Sequence, residues 1–154
     1  MNNPTDEERA RLSGPAMRIF TNIAKRWDLS ERRQLQILGC NQREFQIWVR
    51  AARWRKPLVL ETDIVMRISA ILGIFADLRR LLKTAAEERQ WVLRPVVAPP
   101  FAGQAPINLL TLSYEHQIEV RLYLAGAIYD VANVAPNEAD IDCQPHAPLS
   151  IIWH

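Results

Sequence analysis

Apolar residues recur along most of this chain at intervals of three and four, the spacing that lines one face of an α-helix. Pro15 suits the first turn of a helix. Behind it Ile19, Phe20, Ile23 and Trp27 form a stripe that predicts a helix to about residue 28, preceded by a polar arm over residues 1–14 that reads as frayed or partly helical. Leu35 and Leu38 give a short helix its inner face, and Phe45, Trp48, Val49 and Ala52 give one to the next. Pro57 disfavours helix just before it, so 53–57 reads as a break. Thr62 then serves as the cap of a long helix through Ile64, Val65, Ile68, Ile71, Leu72, Phe75, Leu78 and Leu82, with Gly73 as a point where it can bend. A helix opening near Thr84 carries Glu87, Glu88 and Trp91. Pro106 starts a short one over 106–110, and a last one spans about 115–131. This last helix has two apolar stripes, Ile118–Leu122–Ala125–Tyr129 and Val120–Leu124–Ala127–Val131, which predicts burial on more than one side. A central position in the domain and a partner surface both satisfy that pattern. The predicted fold class is all-α.

The pair of short helices carries the sharpest local signals. Ser30 can accept a hydrogen bond from an unpaired N–H of the first turn, and Asn41 can do the same for the second helix. Gly39 between them can take the left-handed conformation at little steric cost. The second helix turns Gln42, Arg43, Gln46 and Arg50 outward. Two helices joined by a short glycine turn, the second polar and basic, have the layout of a helix-turn-helix DNA reader. A plain helical corner has the same layout, and Leu35 stands where the crossing of such a pair normally has a small residue. In the DNA-reading case Gln42, Arg43 and Gln46 face base edges, with Asn41 at the helix start. Arg50, Arg53 and Arg55 then face phosphates.

Charge sharpens this picture. Residues 1–56 hold 12 Lys/Arg against 6 Asp/Glu, whereas residues 57–154 hold 7 against 11. A basic front and an acidic back fit a nucleic-acid face and a second part with another task, although two ordinary solvated surfaces would give the same split. Nearly half the residues are hydrophobic, enough for a substantial core. Cys40 and Cys143 are too few and too far apart for a disulfide framework or a four-ligand zinc site, which points to a reducing compartment. Cys40 reads as a small, half-buried filler. The polar start has no signal-peptide pattern, and no apolar run reaches the ~18–20 residues of a membrane span, so the expected location is the cytoplasm.

Catalytic motifs are sparse. The chain has no phosphate-binding glycine loop, and its three histidines, His116, His146 and His154, have no clustered cysteine or carboxylate partners. No metal site, cofactor or enzymatic activity is expected. Two segments stand out instead. Residues 95–106 hold four prolines in an apolar setting, which predicts a packed loop. Residues 133–154 have three prolines, the acids Glu138, Asp140 and Asp142, no Lys or Arg, and an end in Ile151-Ile152-Trp153. Such an end should dock on its own body, on a second copy or on a partner.

The motif Phe101-Ala102-Gly103-Gln104-Ala105-Pro106-Ile107-Asn108-Leu109-Leu110, followed by Val120-Arg121-Leu122-Tyr123-Leu124, resembles the toxin-binding domain of the Xre/MbcA/ParS antitoxins. Trp27-Asp28-Leu29-Ser30, Leu38-Gly39, Phe45 and Trp48 resemble the helix-turn-helix of the same family. The resemblance covers roughly residues 15–132. Gln104-Ala105-Pro106 replaces the family's usual Arg-Ser-Pro, and the segment after Leu110 is short.

The resemblance implies a type II antitoxin with a helix-turn-helix part (15–82), a small helical toxin-binding part (83–132) and a tail (133–154). Its partner would be a RES-domain toxin, a relative of ADP-ribosyltransferases that consumes NAD or transfers from it. NAD would be the toxin's ligand. Phe101, Pro106, Leu109 and Leu110 become toxin-binding candidates. So do Glu138, Asp140, Asp142, Ile151, Ile152 and Trp153, as a plug for an electropositive cleft. Operator DNA and a second copy of the chain are further expected partners, since helix-turn-helix proteins mostly bind paired half-sites as dimers. The alternative is a stand-alone repressor whose C-terminal half dimerises or senses a ligand.

Overall fold

The computed structural model describes residues 3–132, with the side chain of Ala132 left out. Among these residues the fold is all-α, with seven helices: α1 Asp6–Arg26, α2 Glu31–Leu38, α3 Gln42–Arg53, α4 Thr62–Leu81, α5 Ala85–Leu93, α6 Pro106–Leu110 and α7 Tyr114–Ala132.

Local caps explain most boundaries. Thr5 and Glu8 form a capping box, in which each side chain takes a backbone N–H of the other residue, and Asp6, Glu7 and Glu8 place negative charge at the positive end of the helix dipole. The helix expected to begin near Pro15 therefore begins at Asp6, and the polar arm is its first two turns. Pro15 lies inside it. Its missing N–H costs the helix one bond, and tertiary contacts around it compensate. Ser13 Oγ donates to Arg9 O and accepts from Leu60 N at 2.9 Å, while Arg9 donates to Leu60 O at 2.8 Å. These bonds fasten the α3–α4 connection onto α1. Leu60 is buried there with Met17 and Phe20.

At α4 the sequence expectation shifts by one residue. Glu61 is the N-cap, with no side-chain bond, and Thr62 is the first helical residue. Gly73 has a role other than bending. A Cβ there would stand 2.5 Å from Arg121 Nε, so the glycine leaves room for an α7 side chain to cross α4. Pro106 opens α6 as expected, and Thr84 opens α5 with a capping box to Glu87. Ser113 Oγ accepts from His116 N at 3.2 Å and pairs with His116 Nδ1 at 2.7 Å, which accounts for the lone histidine as part of the start of α7.

One hydrophobic core runs through both halves, from Phe20, Trp27 and Leu38 through Ile68, Ile71 and Ile74 to Trp91, Phe101, Leu110 and Leu124. The seam of α4 with α7 is its most extensive contact, and α1 packs on both α3 and α4. Residues 15–82 and 83–132 thus share a core, with α4 as the common wall.

Candidate functional site

The helix pair forms as its caps dictate. Ser30 accepts from Arg33 N at 3.2 Å, and Gly39 ends α2 in the left-handed region at φ 69°. Asn41 Oδ1 accepts from Glu44 N at 2.8 Å, and Glu44 accepts from Asn41 N at 3.2 Å. The turn is held from two further helices. Ile37 O accepts from Arg67 of α4 at 3.3 Å and from Gln117 Nε2 of α7 at 3.0 Å. At the far end of α3, Arg18 of α1 donates to Ala52 O at 3.0 Å. Both ends of α3 are therefore fixed, and its outer face is presented by a rigid support.

That face carries the DNA-binding candidates. Asn41, Gln42, Arg43, Gln46, Arg50, Arg53 and Arg55 are all exposed, while Phe45 and Ala52 are buried beneath them. The set divides on inspection. Asn41 spends its carbonyl oxygen on the cap, which leaves its amide nitrogen for any other contact. Arg43, Gln46 and Arg50 follow one another along a single face of the helix. Arg53 instead borders a cleft of about 610 Å³ shared with Arg18, Asn22 and Lys25 of α1. Arg55, with φ 52°, borders a smaller cleft with Arg18 and Lys56. The basic residues thus form one line along α3 and two flanking points. None of Arg43, Arg50, Arg53, Arg55 and Lys56 enters an ion pair among the described residues.

Two residues that the sequence analysis did not single out share the outer face: Ile47 is 54% exposed and Trp54 is 66% exposed. The signal for them was available, because both fall on polar positions of an amphipathic helix. Cys40 is half-buried, and burial with the nearby Glu44 carboxylate pushes its thiol up to about 11. At neutral pH it is a protonated, unreactive filler, as expected.

The C-terminal candidates have a different fate. Phe101, Pro106, Leu109 and Leu110 are buried, Phe101 with only 1% of its surface exposed. They belong to the core that shapes this end of the molecule. The Phe101 ring meets Tyr123 edge-on at 4.9 Å and Trp91 edge-on at 5.8 Å between centroids. The proline-rich loop closes around it through Val96 N to Gln104 O at 3.1 Å and Gly103 N to Val96 O at 2.8 Å. Val97, Ala102, Gly103, Gln104, Asn108 and Leu112 are exposed in this region, with Val97 the most open of its large hydrophobic residues.

The two stripes of α7 also separate. Val120, Leu124 and Ala127 are buried against the core, so Leu124 cannot serve a self-interface as the stripe pattern allowed. Leu122 (68% exposed) and Tyr129 (67% exposed) face outward with Ala125. This outer stripe is an exposed, largely apolar surface of α7. Glu138, Asp140, Asp142, Ile151, Ile152 and Trp153 lie outside the described residues.

Among the described residues one ion pair has a buried member and joins the two halves. Glu88 of α5 is buried and takes a two-point contact from Arg26 of α1, Nε to Oε1 at 2.9 Å and a terminal nitrogen to Oε2 at 2.8 Å. Trp27 Nε1 also donates to Oε1, at 3.3 Å. Charge-assisted, bidentate pairing of this kind is what a buried carboxylate requires. It holds α5 on α1.

Among the described residues no group of three or more His, Cys, Asp or Glu side chains could hold a metal ion, and no helix is long and apolar enough to cross a membrane. In comparisons with known proteins, no family model, no curated protein and no solved structure matches the chain.

Proposed function

We propose that this chain is a two-part antitoxin. The outer face of α3 binds operator DNA, and the C-terminal half holds a RES-type toxin that consumes NAD or transfers ADP-ribose. The observation that carries the proposal is the state of α3. It is a helix fixed at both ends whose outward line of Arg43, Gln46 and Arg50 is exposed and, among the described residues, enters no ion pair. Exposed arginines on a fixed helix suit base edges and phosphates. The resemblance of residues 101–124 to the toxin-binding domain supplies the second half. The outer stripe of α7 supplies its surface: Leu122, Ala125 and Tyr129 would be covered by the toxin. Such a protein needs no catalytic group of its own.

A stand-alone repressor is the second reading, and the same stripe supports it. There Leu122 and Tyr129 would face a second copy, giving the two-fold dimer that paired half-sites require.

Co-expression with a RES-domain toxin, the partner this reading requires, separates the readings. A tagged chain that retains that protein through purification, and loses it on Leu122→Asp, supports the antitoxin. A chain that purifies alone as a dimer, and becomes monomeric on Leu122→Asp, supports the repressor. A gel shift on the chain's own promoter tests the DNA part. A mobility change that weakens as salt rises supports it, and no change with or without the toxin retires it.

A further inference from the structure

The polar outer face of α3 is interrupted by two large apolar side chains. Ile47 and Trp54 are seven residues apart, two helical turns or about 10 Å along the axis, and so share a face. With Arg50, Ala51 and Lys56 they line an open depression of about 600 Å³. Its floor is apolar, and its rim holds a guanidinium and an ammonium group. Residues 42–56 hold five cations against the single carboxylate of Glu44, and that carboxylate is drawn to the N-terminus of α3 by the capping box. The occupant that suits this surface is anionic overall yet offers apolar groups at defined points. A DNA duplex is such a partner. Its phosphates suit Arg50 and Lys56, and the only apolar group on its major-groove edge is the 5-methyl of thymine.

We infer that Ile47 is a specificity-determining residue that packs against the methyl group of a thymine. Gln46 lies beside it at the base edges, and Trp54, two turns farther on at the C-cap of α3, covers a sugar of the strand. The operator then carries an A·T pair at one fixed position in each half-site. The inference rests on the DNA-reading role of α3 and names what that surface selects.

The test begins with the full-length protein and a pool of randomised 20-base-pair duplexes. The enriched duplex is then remade with each thymine replaced in turn by deoxyuridine, which lacks only the methyl group. At one position the replacement weakens binding about fourfold, the scale of burying one methyl group. In Ile47→Ala that penalty vanishes, while Gln46→Ala retains it. Ile47 is exposed, so its alanine variant keeps the wild-type melting temperature. Salt-sensitive binding with no thymine position sensitive to its methyl overturns the inference and leaves the DNA role intact, as does a penalty that persists in Ile47→Ala. A pool that yields no salt-sensitive binding overturns both.

Discussion

α3 and the segment over residues 101–110 carry motifs of similar sharpness in the sequence, and folding treats them in opposite ways. The polar residues marked on α3 all end in solvent, on a helix pinned by α1 at one end and by its cap at the other. The apolar residues marked in 101–110 end in the core. Polar side chains on a capped amphipathic helix specify a surface. A motif of Phe, Pro and paired Leu specifies a shape, and the surface it creates is made of other residues. In the C-terminal half those residues include Val97, Gln104, Asn108 and Leu112 near the motif, and Leu122, Ala125 and Tyr129 on α7. Any binding by this half would run through side chains that the motif holds in place.

The comparison breaks most readily at Phe101. Its burial and its contacts with Trp91 and Tyr123 predict that Phe101→Ala loses about 3–5 kcal/mol in chemical denaturation, with DNA and toxin binding failing together as the shared core loosens. A variant that keeps its stability but loses only toxin binding would show that Phe101 acts by contact. On α3, Arg43→Ala should leave the melting curve in place, cost about 1–3 kcal/mol of operator affinity and relax specificity. Arg50→Ala should instead weaken all sequences alike and lower the slope of log affinity against log salt by about one. Equal effects of the two variants would remove the distinction between base and phosphate contacts. Gly39→Ala should cost about 1–2 kcal/mol, because φ 69° is a left-handed conformation that a Cβ disfavours.

The smallest effect is at the α4–α7 seam. Burial raises the Asp77 carboxyl above its usual value, against the opposing pull of Arg121 and Arg80. The unfolded chain therefore ionises this group first, so stability falls as pH rises from the unfolded to the folded value and stays lower above it. Asp77→Asn should raise the melting temperature slightly at pH 7. The gain should fade towards pH 3, where the carboxyl is protonated in both states. A gain that is independent of pH would assign the effect to packing.

Signals that act over a few residues were legible in the sequence. Ser30, Gly39 and Asn41 set α2 and α3 where their caps predict, and Thr84 and Pro106 do the same for α5 and α6. α1 was misjudged because two local signals compete. Pro15 resembles a helix start, but the Thr5–Glu8 box lies upstream, and the bonds of Ser13 and Arg9 to Leu60 carry the helix past the proline. What depends on distant partners was not legible. The pairing of Arg26 with Glu88 spans 62 positions, and that of Gln117 with Ile37 spans 80. The sequence showed two apolar stripes on α7. Which of them faces inward is decided by the packing of α4, and this put Leu124 in the core and Leu122 outside.

The central claim is that DNA and toxin are met by separate faces, α3 for one and α7 for the other. Growth of cells expressing the RES-domain toxin that the proposal assigns to this chain tests it most directly, with the wild type, the Arg43→Ala/Arg50→Ala double variant and Leu122→Asp supplied from a promoter outside the protein's own control. The account predicts full rescue by the wild type and by the double variant, and none by Leu122→Asp at equal protein level. Rescue by Leu122→Asp as complete as that of the wild type, or no rescue by the wild type itself, would contradict it.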